Sequence, residues 1–166
     1  IIVKRNSPGD YFYIIKQGHA EVTTDPYGPY KGEKFILTAG NYFGDEALVA
    51  QTIRNSSVTM KSAGILGRLS HQTFNELIRE HLVTPSNGQA FISDEMTRVI
   101  DVRFPLEYRQ DHAAGSQNIP ISNLRKQLNE LQSSCRYLVT PVNDCRSELA
   151  TYLMRQAGLE AYYLNH

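Results

Sequence analysis

Two stretches of this chain carry side chains whose types and spacing suit chemistry. The first runs from Asn41 to Ser57 and reads NYFGDEALVAQTIRNSS. Gly44 lets the backbone approach a ligand closely. A helical turn starting near Asp45 would aim free N–H groups and a positive dipole end at a negative charge. Arg54, nine residues beyond Asp45, would add a planar, permanently charged fork suited to phosphate. The Asp45 carboxylate accepts hydrogen bonds of the kind that sugar hydroxyls donate. The second stretch is Asp144-Cys145-Arg146-Ser147. An arginine beside Cys145 and a helix starting just after it favour a nucleophilic thiol, whereas Asp144 opposes one. The plainer reading of Cys145, an incidental thiol, is preferred.

The frame around these residues changes character partway along the chain. Residues 1–40 read as β-structure, with strands over Tyr11–Lys16, Ala20–Thr24 and Lys34–Thr38 and a turn cluster at Asp25-Pro26-Tyr27-Gly28-Pro29. Ser57–Lys61 and Gly64–Leu69 continue the pattern, which predicts a barrel or jelly roll. Ser70 is placed to cap a helix in which Phe74, Leu77, Ile78 and His81 share a face. A boundary is expected near Val83. Beyond it the spacing predicts a short helix over residues 85–93, a buried strand at Arg98–Arg103 and a loop punctuated by Pro105 and Gly115. A helix over 121–132 follows, with Ile121, Leu124, Leu128 and Leu131 on one face. Then come a strand at Tyr137–Val139, a helix over Ser147–Ala157 closed by Gly158, and a strand at Tyr162–Leu164. Strands alternating with helices predict a parallel α/β sheet. The chain is therefore read as two domains of different class, residues 1–82 and 83–166.

Composition narrows the partners. Lys+Arg and Asp+Glu both number 17, and neither half is basic, so nucleic-acid binding is not expected. No apolar run reaches membrane-spanning length. Cys135 and Cys145 lie ten apart, which is no metal spacing, and a reducing cytoplasm is the default for such thiols.

Phe43-Gly44-Asp45-Glu46-Ala47-Leu48 followed by Ile53-Arg54-Asn55-Ser56-Ser57-Val58 resembles the phosphate-binding cassette of cyclic nucleotide-binding domains. Ser7-Pro8-Gly9-Asp10-Tyr11-Phe12 and the run to Gly18 look like the strand that precedes it in that family. The resemblance covers roughly residues 1–82. It implies a jelly roll whose first strand is missing here, followed by a helix that moves when ligand binds. It also implies cAMP or cGMP as ligand and no cofactor beyond it. Arg54 then pairs with the cyclic phosphate. Asp45 stands where the family has a Glu that accepts from the ribose hydroxyl, one methylene shorter. Phe43, Gly44, Ala47 and Leu48 supply backbone groups and packing, and Ser56 a hydroxyl. Asn55 stands where family members selective for cGMP carry Thr and those for cAMP a small residue, so base preference stays open. Glu46 is read as an exposed neighbour.

The second half resembles a rhodanese domain. The matching residues are Ile100-Asp101-Val102-Arg103, Glu107-Tyr108, Asp111–Pro120, Gln156-Ala157-Gly158-Leu159 and Tyr162-Tyr163-Leu164. Such domains act through a cysteine that opens a loop of the form Cys, four residues, Arg-Ser. Counting back from Arg146-Ser147 places Pro141 at the nucleophile position and Asp144 at the loop glycine. Proline has neither a reactive side chain nor an N–H, so no catalytic residue and no sulfur transfer by the usual route are expected; the cysteine spacing gives no metal site either. Asp101 with Arg103 is read as an ion pair, and His112 as a turn residue. The resulting expectation is a cyclic-nucleotide sensor coupled to an inactive second domain that is open to a protein partner. The alternatives are a thiol enzyme using Cys145 and a degenerate interaction scaffold.

Overall fold

A computed structural model of the protein describes residues 1–86 and 95–164. The chain forms two compact units, Ile1–Ile78 and Arg79–His166.

In the first unit the strands are β1 (Tyr11–Gln17), β2 (His19–Thr24), β3 (Lys34–Thr38) and β4 (Tyr42–Phe43). The short helix α1 (Asp45–Val49) follows, then β5 (Ser56–Met60) and β6 (Ile65–Ser70). Among the described residues they make two antiparallel sheets, ordered β4-β1-β6 and β3-β2-β5. Alternating side chains point inward from both sheets, as a half-buried strand requires. Ile15 and Phe43 from one sheet meet Ala20 and Val58 from the other, with Val3 bridging to Val58, in one apolar cluster. That is the jelly-roll core. β1 and β2 are joined through Gly18 alone, at φ 89°, where an added Cβ would lie 2.8 Å from the Ala63 carbonyl oxygen.

Ser70 caps the next helix as expected, its Oγ accepting from the Thr73 N–H at 3.2 Å. The helical run is α2 (His71–Phe74), a π-turn (Asn75–Arg79) and α3 (Glu80–Leu82). Phe74 is fully buried and its ring lies 5.3 Å from that of Phe12. Leu77, expected on the same face, is 61% exposed. The π-turn explains the correction, because i→i+5 bonding slips the phase of the face after Phe74.

The second unit contains β7 (Pro85–Ser86), β8 (Thr97–Asp101), α4 (Pro105–Gln110), β9 (Gln117–Asn118) and α5 (Ile121–Gln127). They are followed by β10 (Arg136–Thr140), α6 (Cys145–Gln156) and β11 (Glu160–Leu164). Among the described residues the sheet is parallel throughout, in the order β7-β11-β10-β8-β9. Its central strand, β10, buries Tyr137, Leu138 and Val139, and α6 buries Ala150, Leu153 and Met154. Three expectations are corrected. Pro85 and Ser86 form a strand against Tyr163 and Leu164 rather than opening a helix; the rest of that expected helix lies outside the described residues. The segment after Pro105 is a helix, not a loop. Proline fits its first position, and the Glu107 carboxylate accepts from the Phe104 N–H at 2.9 Å. The helix expected over 121–132 ends at Gln127 and tightens into a 3₁₀ turn, Leu128–Glu130. No helix among the described residues is long and apolar enough to cross a membrane.

Candidate functional site

The chain folds Arg54 inward, leaving it 3% exposed. Its guanidinium sits where the end of the cassette loop passes under the start of β1. NH1 donates to the Gly44 carbonyl at 2.6 Å, and NH2 donates to the Tyr11 carbonyl at 2.7 Å and to the Asp10 carboxylate at 3.2 Å. Those bonds use three of the five N–H donors of a guanidinium. Gly44 is required here. Its φ is 90°, and an added Cβ would lie 2.8 Å from Arg54 NH1 and 2.9 Å from the Tyr11 oxygen. Two backbone carbonyls orient the arginine without cancelling its charge, and the facing carboxylate of Asp10 is 65% exposed.

The other expected site residues gather around this point in different ways. Asp45 opens α1 and is 5% exposed. Ala47 and Leu48 are buried beneath it, with Gly9 so close that a Cβ there would meet the Ala47 methyl at 3.0 Å. Phe43 is buried and stacks on Tyr13 with ring centroids 5.0 Å apart, which makes it a wall of the core. Asn55 is exposed. Its Nδ2 donates to Glu46 Oε2 at 2.8 Å, and its Oδ1 accepts from the Ser56 hydroxyl at 3.1 Å. Glu46 is thus a brace across the loop rather than a bystander. Ser57 Oγ accepts from the Arg5 N–H at 3.0 Å. The residue that sequence reading left without a role is Asp10. It stands in the Pro8-Gly9-Asp10 turn, and its arginine partner is 44 residues away in sequence, so no local spacing announces the pair.

The loop of the second unit is built from opposite materials. It follows β10 with Pro141, whose carbonyl accepts from the Ser147 hydroxyl at 2.7 Å. Asn143 adopts φ 54°, and Asp144 caps α6, its Oδ1 accepting from the Arg146 N–H at 2.7 Å. The Arg146 guanidinium is shared by two carboxylates. Nε and NH2 reach Asp144 at 3.1 and 2.8 Å, while NH1 and NH2 reach Glu107 at 2.8 and 3.1 Å. Cys145 is exposed at the first position of the helix and Cys135 is buried. Asp101 and Arg103 form the expected ion pair at 2.7 Å, and Asn118 Nδ2 pins the carbonyls of both. His112 is exposed in its turn, with Nδ1 2.8 Å from the Tyr108 carbonyl oxygen.

Protonation follows these contacts. Burial pushes the Asp144 carboxyl up, but the Arg146 guanidinium and N–H outweigh it and hold the group below the ordinary Asp range. Arg146 and the Phe104 N–H hold Glu107 below the Glu range. Arg146 itself is raised, first by Asp144 and then by Glu107. In the first unit, burial and the nearby Asp10 raise Tyr13, against Arg54 and Arg68. Among the described residues there is no cluster of His, Cys, Asp and Glu that could hold a metal ion.

Comparison with known proteins matches both units. Residues 1–81 fit the family model described as cyclic nucleotide-binding domain, and residues 84–166 the model described as rhodanese-like domain. The cAMP-dependent protein kinase regulatory subunit of Schizosaccharomyces pombe is 37% identical over 78 residues, covering 47% of this chain and 18% of that protein. The cGMP-dependent protein kinase of Toxoplasma gondii is 28% identical over 123 residues, covering 67% of this chain and 12% of that protein. The chain thus spans less than a fifth of either relative. A solved structure of the regulatory domain of Toxoplasma gondii PKA with cAMP aligns with a TM-score of 0.42 at 30% identity, covering 46% of this chain and 30% of that one. A rhodanese-related protein from Thermoplasma volcanium aligns with a TM-score of 0.44 at 29% identity, covering 50% and 82%.

Proposed function

From a chain that belongs to the cyclic nucleotide-binding domain family over residues 1–81 and to the rhodanese-like family over 84–166, we propose a cyclic-nucleotide sensor whose second domain does no sulfur transfer. The carrying observation is Arg54. A buried arginine oriented by the Gly44 and Tyr11 carbonyls, and paired only at its edge with the exposed Asp10 carboxylate, keeps two unused N–H donors, which suits a cyclic phosphate. In this reading Gly44 and Ala47 give the ligand backbone contact, and Asp45 accepts from the ribose hydroxyl. Phe43 and Leu48 support the loop, and Asn55 and Ser56 border the phosphate. The ligand is cAMP or cGMP. The free thiols Cys135 and Cys145 fit a reducing cytoplasm. Residues 71–82 lie between the cassette and the second domain in sequence, so binding is read out through that helical run and toward a protein partner of the second domain. Such coupling needs a difference in ligand affinity between two arrangements of the run.

Calorimetric titration with cAMP and, separately, cGMP tests the proposal. Saturable binding that disappears in Arg54→Ala supports a sensor, and the tighter ligand fixes the base. Absence of binding at millimolar ligand, with no thermal shift, refutes it in favour of a scaffold. The non-catalytic reading of the second domain rests on Pro141 at the nucleophile position. Thiosulfate:cyanide sulfur transfer that is abolished by Cys145→Ser would overturn it.

A further inference from the structure

The loop between β10 and α6 is more than a site that lacks its nucleophile. We propose that it is a self-filled anion cradle, in which Asp144 is the resident anion. The proposal rests on the rhodanese-like reading of this loop and adds a cause of inactivity that is independent of Pro141.

An external anion at such a loop needs N–H donors at the helix start and a cation that is not already neutralised. Both are occupied. At the start of α6, the Arg146 N–H goes to Asp144 Oδ1 at 2.7 Å. The Ser147 and Glu148 N–H groups go to the Asp144 carbonyl at 3.0 and 3.2 Å. Ser147 also turns its hydroxyl back onto the Pro141 carbonyl at 2.7 Å, which closes the loop on itself. The guanidinium of Arg146 meets Asp144 and Glu107 on two edges. One arginine against two carboxylates leaves the cluster at −1. The neighbouring Arg103 does not reverse this sign, because its own guanidinium is taken by Asp101 and by the Asp111 carbonyl. An arriving sulfur oxyanion would have to displace a carboxylate already bonded to both an N–H and a guanidinium. It would do so against a negative field.

The thiol of Cys145 stands exposed at this helix start and reports on the loop without any turnover. The experiment measures its alkylation by iodoacetamide, a neutral reagent, while thiosulfate or sulfate is titrated at constant ionic strength. Cys135 is buried and should stay unmodified, so its labelling reports unfolding. In the unaltered chain neither anion should slow the reaction. In Asp144→Gly with Glu107→Gln, which frees the Arg146 N–H and leaves its guanidinium a net cation, and in Asp144→Asn with Glu107→Gln, which keeps the cap and removes both charges, saturable protection of roughly threefold or more is expected. Saturable protection of the unaltered chain overturns the proposal. So does its absence in both variants when their circular dichroism matches that of the parent. Sulfur transfer by the unaltered chain would instead refute the non-catalytic reading, so the two failures are separable.

Discussion

Arg54 and Arg146 are two arginines drawn into loops beside the first turn of a helix, and they are held by opposite kinds of acceptor. Arg54 is oriented mainly by backbone carbonyls, with one well-exposed carboxylate at its edge. Arg146 is gripped by two carboxylates at short range. Carbonyls fix direction and leave charge, whereas carboxylates fix direction and remove it. The same side chain is therefore left electrostatically open in one loop and closed in the other. What differs between the two loops, besides the deeper burial of Arg54, is the chemistry of the acceptors that hold the guanidinium.

The sharpest way to break this contrast is Arg54→Lys. A lysine keeps the charge but cannot hold two carbonyls and a phosphate in one plane, so cyclic-nucleotide affinity should fall by about tenfold to a hundredfold in a calorimetric titration. Equal affinity would mean that charge alone matters and that the carbonyl frame is incidental. Next in size is Gly44→Ala. The positive φ and the clash with the Tyr11 oxygen and Arg54 should cost about 2 kcal/mol in urea unfolding of the first unit.

A smaller effect belongs to the second loop and has a definite sign. Asp144 and Glu107 are held below their ordinary ranges. Their stabilising contribution is therefore full above the unfolded-state values, roughly pH 4. It is lost as pH falls through the lowered folded values. Thermal melts taken from about pH 6 down to about pH 3 should show a steeper decline for the parent than for Asp144→Asn, and parallel curves would contradict the pairing. The smallest expected change is Glu46→Gln. It keeps an acceptor for Asn55 Nδ2 and should move nucleotide affinity by no more than about twofold. A larger change would make Glu46 part of the binding chemistry.

Much of this was legible from residue order. The strand at Lys34–Thr38, the cap at Ser70 and the alternation after Val83 are local patterns, and local patterns survive folding. The parts that escaped are relational. Asp10 finds Arg54 because the chain pairs Pro8 with Ile53, and no window of sequence holds both. Glu46 looked like solvent-facing charge until Asn55 came round to meet it. The helix at Pro105–Gln110 has too few apolar residues for a period, and only its capping chemistry, Pro105 with Glu107, gives it away. Leu77 fell on the wrong side of a helix because the slip that turns it outward is a matter of backbone hydrogen bonding. Pro85 suits a helix start and a short edge strand equally well in one dimension, since proline is tolerated in both.

One pairing described above bears on how the protein is made. β7 and β11 lie side by side, Pro85 against Tyr163, although nearly eighty residues separate them. At the ribosome, chain grows at about 5–20 residues per second, so β7 waits several seconds for its neighbour to be translated. Val3, by contrast, meets its partner Val58 while the ribosome is still far from β11. The nascent jelly roll can close early, whereas the parallel sheet is completed only when β11 arrives to join β7 and β10. Truncation shortly before Glu160 would release a first unit tethered to a second one that lacks the strand between β7 and β10.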